Sequence, residues 1–386
     1  MKKRIFILAN KYPNVIEPNV CVFIQSLVWS FADLGYECSV ICPMPINFNF
    51  KYMKFPLSRI EKNENGKNIK VYHPKYISLG QNNKFLQKFR VKFTTWAYTK
   101  ACDKILKNKK LNSNNDILYS HFICPSGVSA AKLGKKYEIK SFMAHGEAFY
   151  RGDIKYGNKY LKKVFKNLTG VIAVSTQNKD YLVDAGVIEQ EKIGIFPNGY
   201  REERFYNFDK KIARKHFGWD EDKFIVGFCG SFDERKGVLR LQQSVDKIDD
   251  KKVVFACAGK GSQMPTSSKC IWSKPVKNNE LVYFYNAIDV FCLPTQNEGC
   301  CNAIVEAIAC GCPIISSDRK FNYDILDPSN SIMIDPNNIE EISNAIIKTM
   351  NNKNIISKMR NSNLNKSKKL TLENRAKNIV KFFMKN

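Results

Sequence analysis

Short apolar runs rich in Val, Ile and Phe recur along the chain and alternate with segments of helical spacing. The runs fall at residues 5–9, 38–42, 117–119, 170–174, 224–229, 253–258, 290–293 and 313–316, and helical spacing is seen between them, for example at 23–34 and 298–309. Strands that are apolar along their whole length are typical of parallel sheets covered by helices on both faces. The pattern therefore predicts an α/β protein.

The strand–helix order starts again in the middle of the chain. Residues 196–219 form a long connection without a clear strand pattern, and 224–230 then resembles a new first strand. We therefore predict two Rossmann-like domains that face each other across a cleft, at residues 1–200 and 201–370, followed by a helix at 371–386 that packs back on the body. The last helix is predicted from the helical spacing of Leu372, Ala376, Ile379 and Phe383.

The segment 297–313 has the most informative chemistry. It follows a predicted strand, and Gly311 with Pro313 is suited to end a helix that begins at Asn302 or just before it. The first N–H groups of a helix have no internal partners and carry partial positive charge. The backbone here is therefore suited to bind a diphosphate through the residues Gly299, Cys300, Cys301, Asn302 and Ala303.

Two glutamates flank this helix start. Glu306 lies about one turn further in, where its carboxylate can accept both hydroxyls of a ribose. Glu298 precedes the helix, where it can hydrogen-bond a sugar. The alternative is a plain helix N-terminus with two favourable acidic residues.

A second candidate segment, 230–237, follows the predicted strand 224–229. Gly230 and Ser231 here precede two adjacent cations, Arg235 and Lys236. Two cations beside a glycine on a strand-to-helix loop can neutralise a phosphate leaving group, and a solvated basic turn is the alternative. Gly259, after the next strand, allows close backbone approach, although a lone Gly-x-Gly is weak evidence.

Two histidines in the first half stand at the ends of predicted strands. His145 is followed by glycine, and His121 is similarly placed, so that both would face the expected cleft. A lone histidine is more often structural than catalytic, and both interpretations stay open for each.

Taken in this order, the segments resemble a retaining nucleotide-sugar glycosyltransferase of family four, which has the two-Rossmann GT-B fold. The resemblance covers nearly the whole chain and rests on residues 8–13 with 27–43, 116–121, 145–146, 171–175, 195–199, 235–237 and the paired glutamates at 298 and 306. Residues 313–318 and 322–326 are similar to members that build capsule, O-antigen and other surface polysaccharides, including lipopolysaccharide.

The resemblance implies a role for each candidate residue. Glu306 would bind the donor ribose and Glu298 the transferred sugar, while the 300–303 backbone, Arg235 and Lys236 would hold the diphosphate. His145 would lie by the donor sugar, with His121 and Cys21 on the acceptor side.

The resemblance also implies the reaction. A sugar would move from a UDP- or GDP-sugar to a glycan or a polyprenyl-diphosphate-linked glycan, with retained configuration and without metal or cofactor. The leaving phosphate itself would help to take the acceptor proton. The glutamates would therefore not be the nucleophile and acid of a hydrolase.

Three residues depart from the family pattern. The family often has glycine at the positions of Cys21 and Cys301, and arginine at that of Ser231. Cys301 still offers its N–H group, but its side chain crowds the phosphate approach. These departures bear on the identity of the donor and on activity itself.

The charge is strongly positive and uneven. The 386 residues include 62 Lys and Arg against 36 Asp and Glu, a net charge of +26, and residues 1–199 hold 32 of the cations against 14 carboxylates. A basic first half suggests an anionic partner, and a compositional bias towards Lys is the alternative.

One basic segment suggests what that partner is. Residues 84–96 place Leu86, Phe89, Phe93 and Trp96 on one helical face, with Lys84, Lys88 and Lys92 nearby. This pattern is typical of a helix at an anionic membrane surface, and an ordinary helix that buries the same stripe in its own domain is the alternative.

Other classes of protein have little support in the sequence. The thirteen cysteines and four histidines show no zinc-ligand spacing, and the apolar run at 5–9 is too short for a signal peptide. No window is apolar enough to span a membrane, so we expect a cytoplasmic protein, with the inner face of the plasma membrane as its site of contact. No nucleic-acid-binding signature is present.

The rival functions are a nucleotide-sugar epimerase or phosphorylase on the same scaffold, and a non-enzymatic basic membrane-surface protein.

Overall fold

The computed structural model describes residues 3–47, 52–79 and 86–386. Its contacts divide the chain into two compact units, one formed by Met1–Phe196 with Arg375–Asn386 and the other by Pro197–Asn374. Each unit is built on a largely parallel sheet whose strands are joined by helices. The prediction of two Rossmann-like α/β domains is therefore confirmed.

The first unit contains strands at all four apolar runs predicted in the first half of the chain, 5–9, 38–42, 117–119 and 170–174. Its strands are β1 Arg4–Leu8, β2 Glu37–Ile41, β3 Met44–Pro45, β4 Ser58–Lys62, β5 Asn68–Tyr72, β6 Lys75–Tyr76, β7 Asp116–His121, β8 Lys140–His145, β9 Gly170–Ala173 and β10 Ile193–Ile195. Its helices are α1 Val22–Asp33, α2 Gln87–Leu106, α3 Val128–Tyr137, α4 Gly152–Lys155, α5 Asn158–Phe165 and α6 Thr176–Asp184.

The main sheet of this unit has the order β10-β9-β8-β7-β1-β2-β5-β4. All neighbours are parallel except β4, which runs antiparallel to β5 at the edge. The chain moves outward in one direction from β1 and then in the other direction from β7. Ligands of such sheets bind at this reversal, beyond the carboxyl ends of the strands.

The second unit repeats the same plan. Its strands are β11 Phe224–Phe232, β12 Val253–Gly261, β13 Cys270–Lys274, β14 Val290–Leu293, β15 Ile314–Ser317 and β16 Ser331–Ile334. Its helices are α7 Lys210–Phe217, α8 Val238–Asp246, α9 Leu281–Ala287, α10 Asn302–Ala309, α11 Ile339–Met350 and α12 Lys353–Ser367. The sheet is parallel in the order β13-β12-β11-β14-β15-β16, so the reversal lies between β11 and β14.

The C-terminal helix, α13, spans Leu372–Lys385. Leu372, Ala376, Ile379 and Phe383 are all buried. From Arg375 onward the helix belongs to the first unit. There the ring of Phe383 lies 4.5 Å from that of Phe142 and 6.0 Å from that of Phe31, so the last turn of the chain fills part of the first unit's core.

Candidate active site

The donor-side candidates gather at the reversal of the second sheet. Gly230 lies near the carboxyl end of β11, and the loop from Thr295 to Cys301 follows the carboxyl end of β14. Because β11 and β14 are neighbours, both segments emerge at one edge of the sheet. Helix α10 begins at Asn302, as predicted, and residues 294–301, where the helical spacing had started, form the loop before it.

The backbone at this edge is packed too closely for a side chain at Gly259 or at Gly261. A Cβ atom at Gly259 would lie 1.9 Å from the carbonyl oxygen of Gly230 on the neighbouring strand. Glycine is therefore required at 259 by strand-to-strand packing. The close backbone approach predicted there is thus made to β11.

Arg235 and Lys236 both contact Glu298, which lies in the loop between β14 and α10. A guanidinium nitrogen of Arg235 contacts Oε1 of Glu298, and Nζ of Lys236 lies 2.8 Å from the same oxygen. The hydroxyl of Thr295 also donates to this oxygen, over 3.0 Å. One carboxylate oxygen thus contacts two cations from the β11–α8 loop, and the structure brings together the residue predicted to bind the transferred sugar and the two cations predicted to hold the diphosphate.

Lys236 is the more deeply placed cation, with 9% of its surface exposed. Burial acts to lower its pKa, but Cys301 and Glu298 outweigh burial and raise the pKa above its ordinary value. Its Nζ lies 3.5 Å from the sulfur of Cys301, and burial raises the pKa of that thiol. Lys236 is therefore a permanent positive charge beside the start of α10.

Helix α10 has no side-chain cap. Cys301 is its N-cap residue, and its carbonyl accepts from the N–H groups of Ile304 and Val305 over 3.2 Å each, so the N–H groups of Asn302 and Ala303 are left without a backbone acceptor in the helix. Asn198 lies at this helix start, where its amide donates to the carbonyl of Cys300 over 2.9 Å and to the side chain of Asn302 over 2.8 Å. Cys300 and Ala303 are buried, whereas Asn302 is exposed.

Glu306 lies one turn into α10, half-buried, and its partner is a tyrosine. The hydroxyl of Tyr285, in α9, donates to Oε2 of Glu306 over 2.8 Å. Burial raises the pKa of Glu306 to about 7, although the Tyr285 hydrogen bond and the charge of Lys236 act in the opposite direction. Burial and then Glu306 raise the pKa of the nearby Cys229 thiol to about 12.

Ser231 stands where the resembled family often has arginine. Its hydroxyl donates to Asp233, which also accepts from the backbone N–H of Lys236 over 2.8 Å. Burial acts to raise the pKa of Asp233, but these hydrogen bonds lower it overall. Ser231 therefore shapes the loop that carries Lys236.

His145 in the first unit is held at both ring nitrogens. It is fully buried at the end of β8, with Nδ1 2.6 Å from Glu147 and Nε2 3.4 Å from the amide of Asn178. Glu147 also accepts from the backbone N–H of Ile123 over 2.8 Å. Burial acts to raise the pKa of Glu147, but His145 and this N–H lower it overall. Glu147 and Asn178 therefore fix the orientation of the His145 ring.

His121 and Cys21 lie near the reversal of the first sheet. His121 ends β7 with an edge-on contact to Tyr119, and its buried Nε2 has no hydrogen-bond partner among the described residues. Burial and the nearby charge of Arg375 lower its pKa to about 3, so the ring is neutral. Cys21 is the N-cap of α1 and has a φ of 50°. This left-handed conformation favours glycine, which is the residue that the resembled family often has there.

Across the described ranges 3–47, 52–79 and 86–386, no group of three or more His, Cys, Asp or Glu side chains is arranged to hold a metal ion. No helix in the same ranges is long and apolar enough to cross a bilayer.

Three residues of the site were missed by the sequence reasoning. Tyr285 lies in a short helix without a recognisable motif, and Glu147 follows the His145-Gly146 pair without a predicted role of its own. Asn198 belongs to the segment 195–199, which carried part of the resemblance, but no role was predicted for it. The turn-forming Pro-Asn-Gly sequence at 197–199 was the signal that could have singled it out.

Comparison with known families assigns both halves of the chain to glycosyltransferases. Residues 20–204 match the family described as Glycosyltransferase Family 4. Residues 209–369 match the family described as Glycosyl transferases group 1. The two matches meet at residues 204–209, just after the division between the structural units at Phe196 and Pro197.

Two curated relatives align with a large part of the chain, the first over nearly nine tenths of it and the second over about two thirds. A Bacillus subtilis protein named as a glycosyltransferase of teichuronic acid biosynthesis, TuaC, is 25% identical over 364 residues, which cover 89% of this chain and 88% of the relative. The Escherichia coli UDP-Gal:alpha-D-GlcNAc-diphosphoundecaprenol alpha-1,3-galactosyltransferase is 26% identical, over 66% of this chain and 71% of the relative.

Solved structures show the same fold at low sequence identity. A sucrose-phosphate synthase from Thermosynechococcus elongatus matches 99% of both chains with a TM-score of 0.77 and 14% identity. Anabaena Alr3699/HepE in complex with UDP matches 99% of this chain and 100% of that one, with a TM-score of 0.74 and 13% identity. Together with the two family matches, these findings identify the chain as a glycosyltransferase of the family-4 type with the GT-B fold.

Proposed function

We propose that this glycosyltransferase moves a sugar from a nucleoside diphosphate sugar to a glycan or lipid-linked glycan acceptor, with retention and without a metal ion, in the synthesis of a bacterial surface polysaccharide. The observation that carries the proposal is the convergence of Arg235, Lys236 and the uncapped start of α10 at the reversal of the second sheet. Two cations and free N–H groups at one sheet edge suit a diphosphate.

The donor would be held in three parts. The diphosphate would bind Lys236, Arg235 and the N–H groups at the start of α10. The ribose hydroxyls would donate to the carboxylate of Glu306, and Glu298 would hold the transferred sugar after exchanging its contacts with the two cations. UDP is the nucleoside diphosphate that we favour, because HepE was crystallised with UDP, UDP-glucose, and UDP with glucose. GDP remains the alternative in the test below.

The proposed reaction breaks the bond between the anomeric carbon and the phosphate oxygen. The acceptor oxygen forms its bond on the same face, and its proton passes to the leaving phosphate. Lys236 and Arg235 would stabilise the negative charge that grows on that phosphate. The role of His145 beside the donor sugar stays a prediction.

The polysaccharide context comes from the names of relatives. TuaC is named for teichuronic acid biosynthesis, and the Escherichia coli galactosyltransferase is named for a diphosphoundecaprenol-linked acceptor. We therefore propose an acceptor that carries a phosphorylated lipid. Such an acceptor also suits the basic first half of the chain.

The test is incubation of the protein with UDP- and GDP-sugars and a polyprenyl-diphosphate-linked glycan, with chelator present, followed by NMR of the anomeric proton. A product with the donor's anomeric configuration is expected. Sugar conversion without acceptor would indicate an epimerase, dependence on inorganic phosphate would indicate a phosphorylase, and either result would overturn the proposal.

A further inference from the structure

Helix α2 has two apolar faces, and only one of them is buried in its own unit. Val91 and Tyr98 on the inner face are almost fully buried. Leu86, Phe89 and Trp96 on the opposite face are 61%, 61% and 54% exposed. Phe93, the fourth member of the stripe, is half-buried. The interpretation in which this helix buries the stripe within its own domain is therefore wrong for Leu86, Phe89 and Trp96. Lys84, which was counted with the stripe, lies outside the described residues.

Cations surround this outer face of α2. Lys88 and Lys92 are exposed on the same helix. The ammonium of Lys92 lies 5.1 Å from the ring centroid of Tyr160, in α5, which places α5 beside the stripe. Four further exposed lysines lie on or just after α5, namely Lys159, Lys162, Lys163 and Lys166. Within the part of the chain that the structure describes, no carboxylate forms an ion pair with any of these six lysines.

The exposed apolar surface continues onto α4. The hydroxyls of Tyr156 and Thr95 lie 2.6 Å apart and link the end of α4 to α2. Ile154 in α4 is 55% exposed, and Phe149 just before it is 47% exposed. The guanidinium of Arg151 lies 5.8 Å from the ring centroid of Phe149.

A cavity opens where this surface meets the end of β8. Its volume is about 270 Å³, and its lining includes Phe149, Arg151 and Lys155. It also includes Glu147, the residue that holds the ring of His145. A path of apolar and basic side chains thus runs from the stripe on α2 to the carboxyl edge of the first sheet.

We propose that the face formed by α2, α4 and α5 binds the surface of an anionic lipid bilayer. Several large apolar side chains exposed together mark an interaction site, since each costs free energy in water. Aromatic residues interleaved with lysines suit the boundary between lipid headgroups and acyl chains, where the rings insert and the ammonium groups meet phosphates. An acidic polysaccharide would satisfy the lysines but would leave the rings exposed.

The position of the acceptor at this face is a further point, which rests on the proposed function. If the acceptor is linked to a lipid, binding through this face would hold the 270 Å³ cavity at the bilayer surface. Arg151 and Lys155 at the cavity would then meet the acceptor's diphosphate as it leaves the headgroup region. The bilayer contact itself does not depend on which sugar is transferred.

The test is co-sedimentation of the full-length protein with vesicles of phosphatidylcholine alone or mixed with phosphatidylglycerol, at low and high salt. Wild-type protein should bind the mixed vesicles and be released by salt. The Phe89→Ser/Trp96→Ser variant should lose this binding, and Lys88→Gln and Lys92→Gln should each weaken it about fivefold at low salt. All four side chains are exposed, and these changes should leave the fold intact.

Matched controls lie in the second unit. Ile212 is 59% exposed and Lys348 is also exposed. Ile212→Ser removes an exposed apolar side chain and Lys348→Gln removes an exposed positive charge, both away from the α2, α4 and α5 face. Both variants should leave vesicle binding unchanged. Equal binding by wild type and the α2 variants, or binding to dextran sulfate but not to vesicles, would overturn the proposal. Nucleotide binding measured on the same samples separates this failure from failure of the proposed function, because the α2 variants should bind nucleotide as wild type does.

Discussion

The hydroxyl of Tyr285 donates a 2.8 Å hydrogen bond to Oε2 of Glu306, the glutamate that we propose receives the donor ribose. Tyr285 is fully enclosed by aromatic rings, among them those of Phe284, Phe205 and Phe291. Its ring cannot move without disturbing this packing. Glu306 is therefore held in one orientation before any nucleotide arrives, and this lowers the entropy cost of binding.

The ionisation of Glu306 should make nucleotide binding depend on pH. Burial raises the pKa of its carboxyl group to about 7, so the group is largely protonated below pH 7 in the free protein. If the ribose hydroxyls donate to the carboxylate, binding must release this proton. Affinity should therefore rise as the pH increases from about 5 towards 7, by at most about tenfold per pH unit, and level off above that. Isothermal titration calorimetry with UDP across this range measures the slope.

The control for this pH dependence is Glu306→Gln. The terminal phosphate of the nucleotide also titrates, at a pH of about 6, and contributes its own slope. The variant keeps that contribution and removes only the one from Glu306. An identical slope in wild type and Glu306→Gln would show that Glu306 does not face the ribose.

Removing the Tyr285 hydroxyl should weaken nucleotide binding at neutral pH. Tyr285→Phe keeps the ring and its contacts but deletes the hydrogen bond that holds the pKa of Glu306 down. We expect a loss of about 0.5–1.5 kcal/mol in UDP affinity at pH 7, much of it recovered at higher pH. The matched control is Tyr283→Phe in the same helix, which should change neither the affinity nor its pH profile. Loss that persists unchanged at high pH would point to damaged packing instead.

Lys236 should act on the diphosphate and not on the nucleoside. Lys236→Met keeps the apolar stem of the side chain and removes the charge, while Glu298 retains its contact with Arg235. UDP affinity should fall by about 1.5–3 kcal/mol, the scale of a hydrogen bond to a charged group, and uridine affinity should stay the same. Calorimetry with both ligands measures the difference, with Lys348→Met as the control. An equal loss for UDP and uridine would contradict the assignment.

Cys21 should be replaceable by glycine with a gain in stability. Its φ of 50° costs a side-chain-bearing residue about 1–2 kcal/mol, and glycine adopts this conformation freely at an entropic cost of about 0.5–1 kcal/mol. Cys21→Gly should therefore raise the free energy of unfolding by up to about 1 kcal/mol in urea denaturation. Cys38→Gly, in the ordinary strand β2, should lower it. A stability loss in both variants would argue that the Cys21 thiol packs more favourably than its backbone strain costs.

The sequence predicts the fold best where burial is complete. Strands such as Val290–Leu293 and Val253–Gly261 are buried on both faces over most of their length, so their apolar runs are continuous. The edge strand Ser58–Lys62 was not predicted, because in it only Glu61 is buried and the neighbouring side chains are charged or exposed. Edge strands often carry charge, which hides them from a search for apolar runs.

Sheet topology also explains which residues of the site the sequence predicts and which it does not. The glutamate pair and the Arg-Lys-Gly segment lie at strand ends, and sheet topology alone brings strand ends together. The partner of Glu306 comes from a helix, and no spacing rule links residue 285 to residue 306. Helix α2 is apolar on two faces, and its sequence alone does not say which face the domain buries.

The most direct test of the account is calorimetry of nucleoside diphosphate binding to wild type and to Glu306→Ala. We propose that the ribose binds Glu306 and that the diphosphate binds Lys236 and the start of α10. UDP or GDP should therefore bind the wild-type protein, and Glu306→Ala should weaken this binding by about 1.5–3 kcal/mol. Unchanged affinity for every nucleoside diphosphate, or no binding of any of them to wild type, would contradict it.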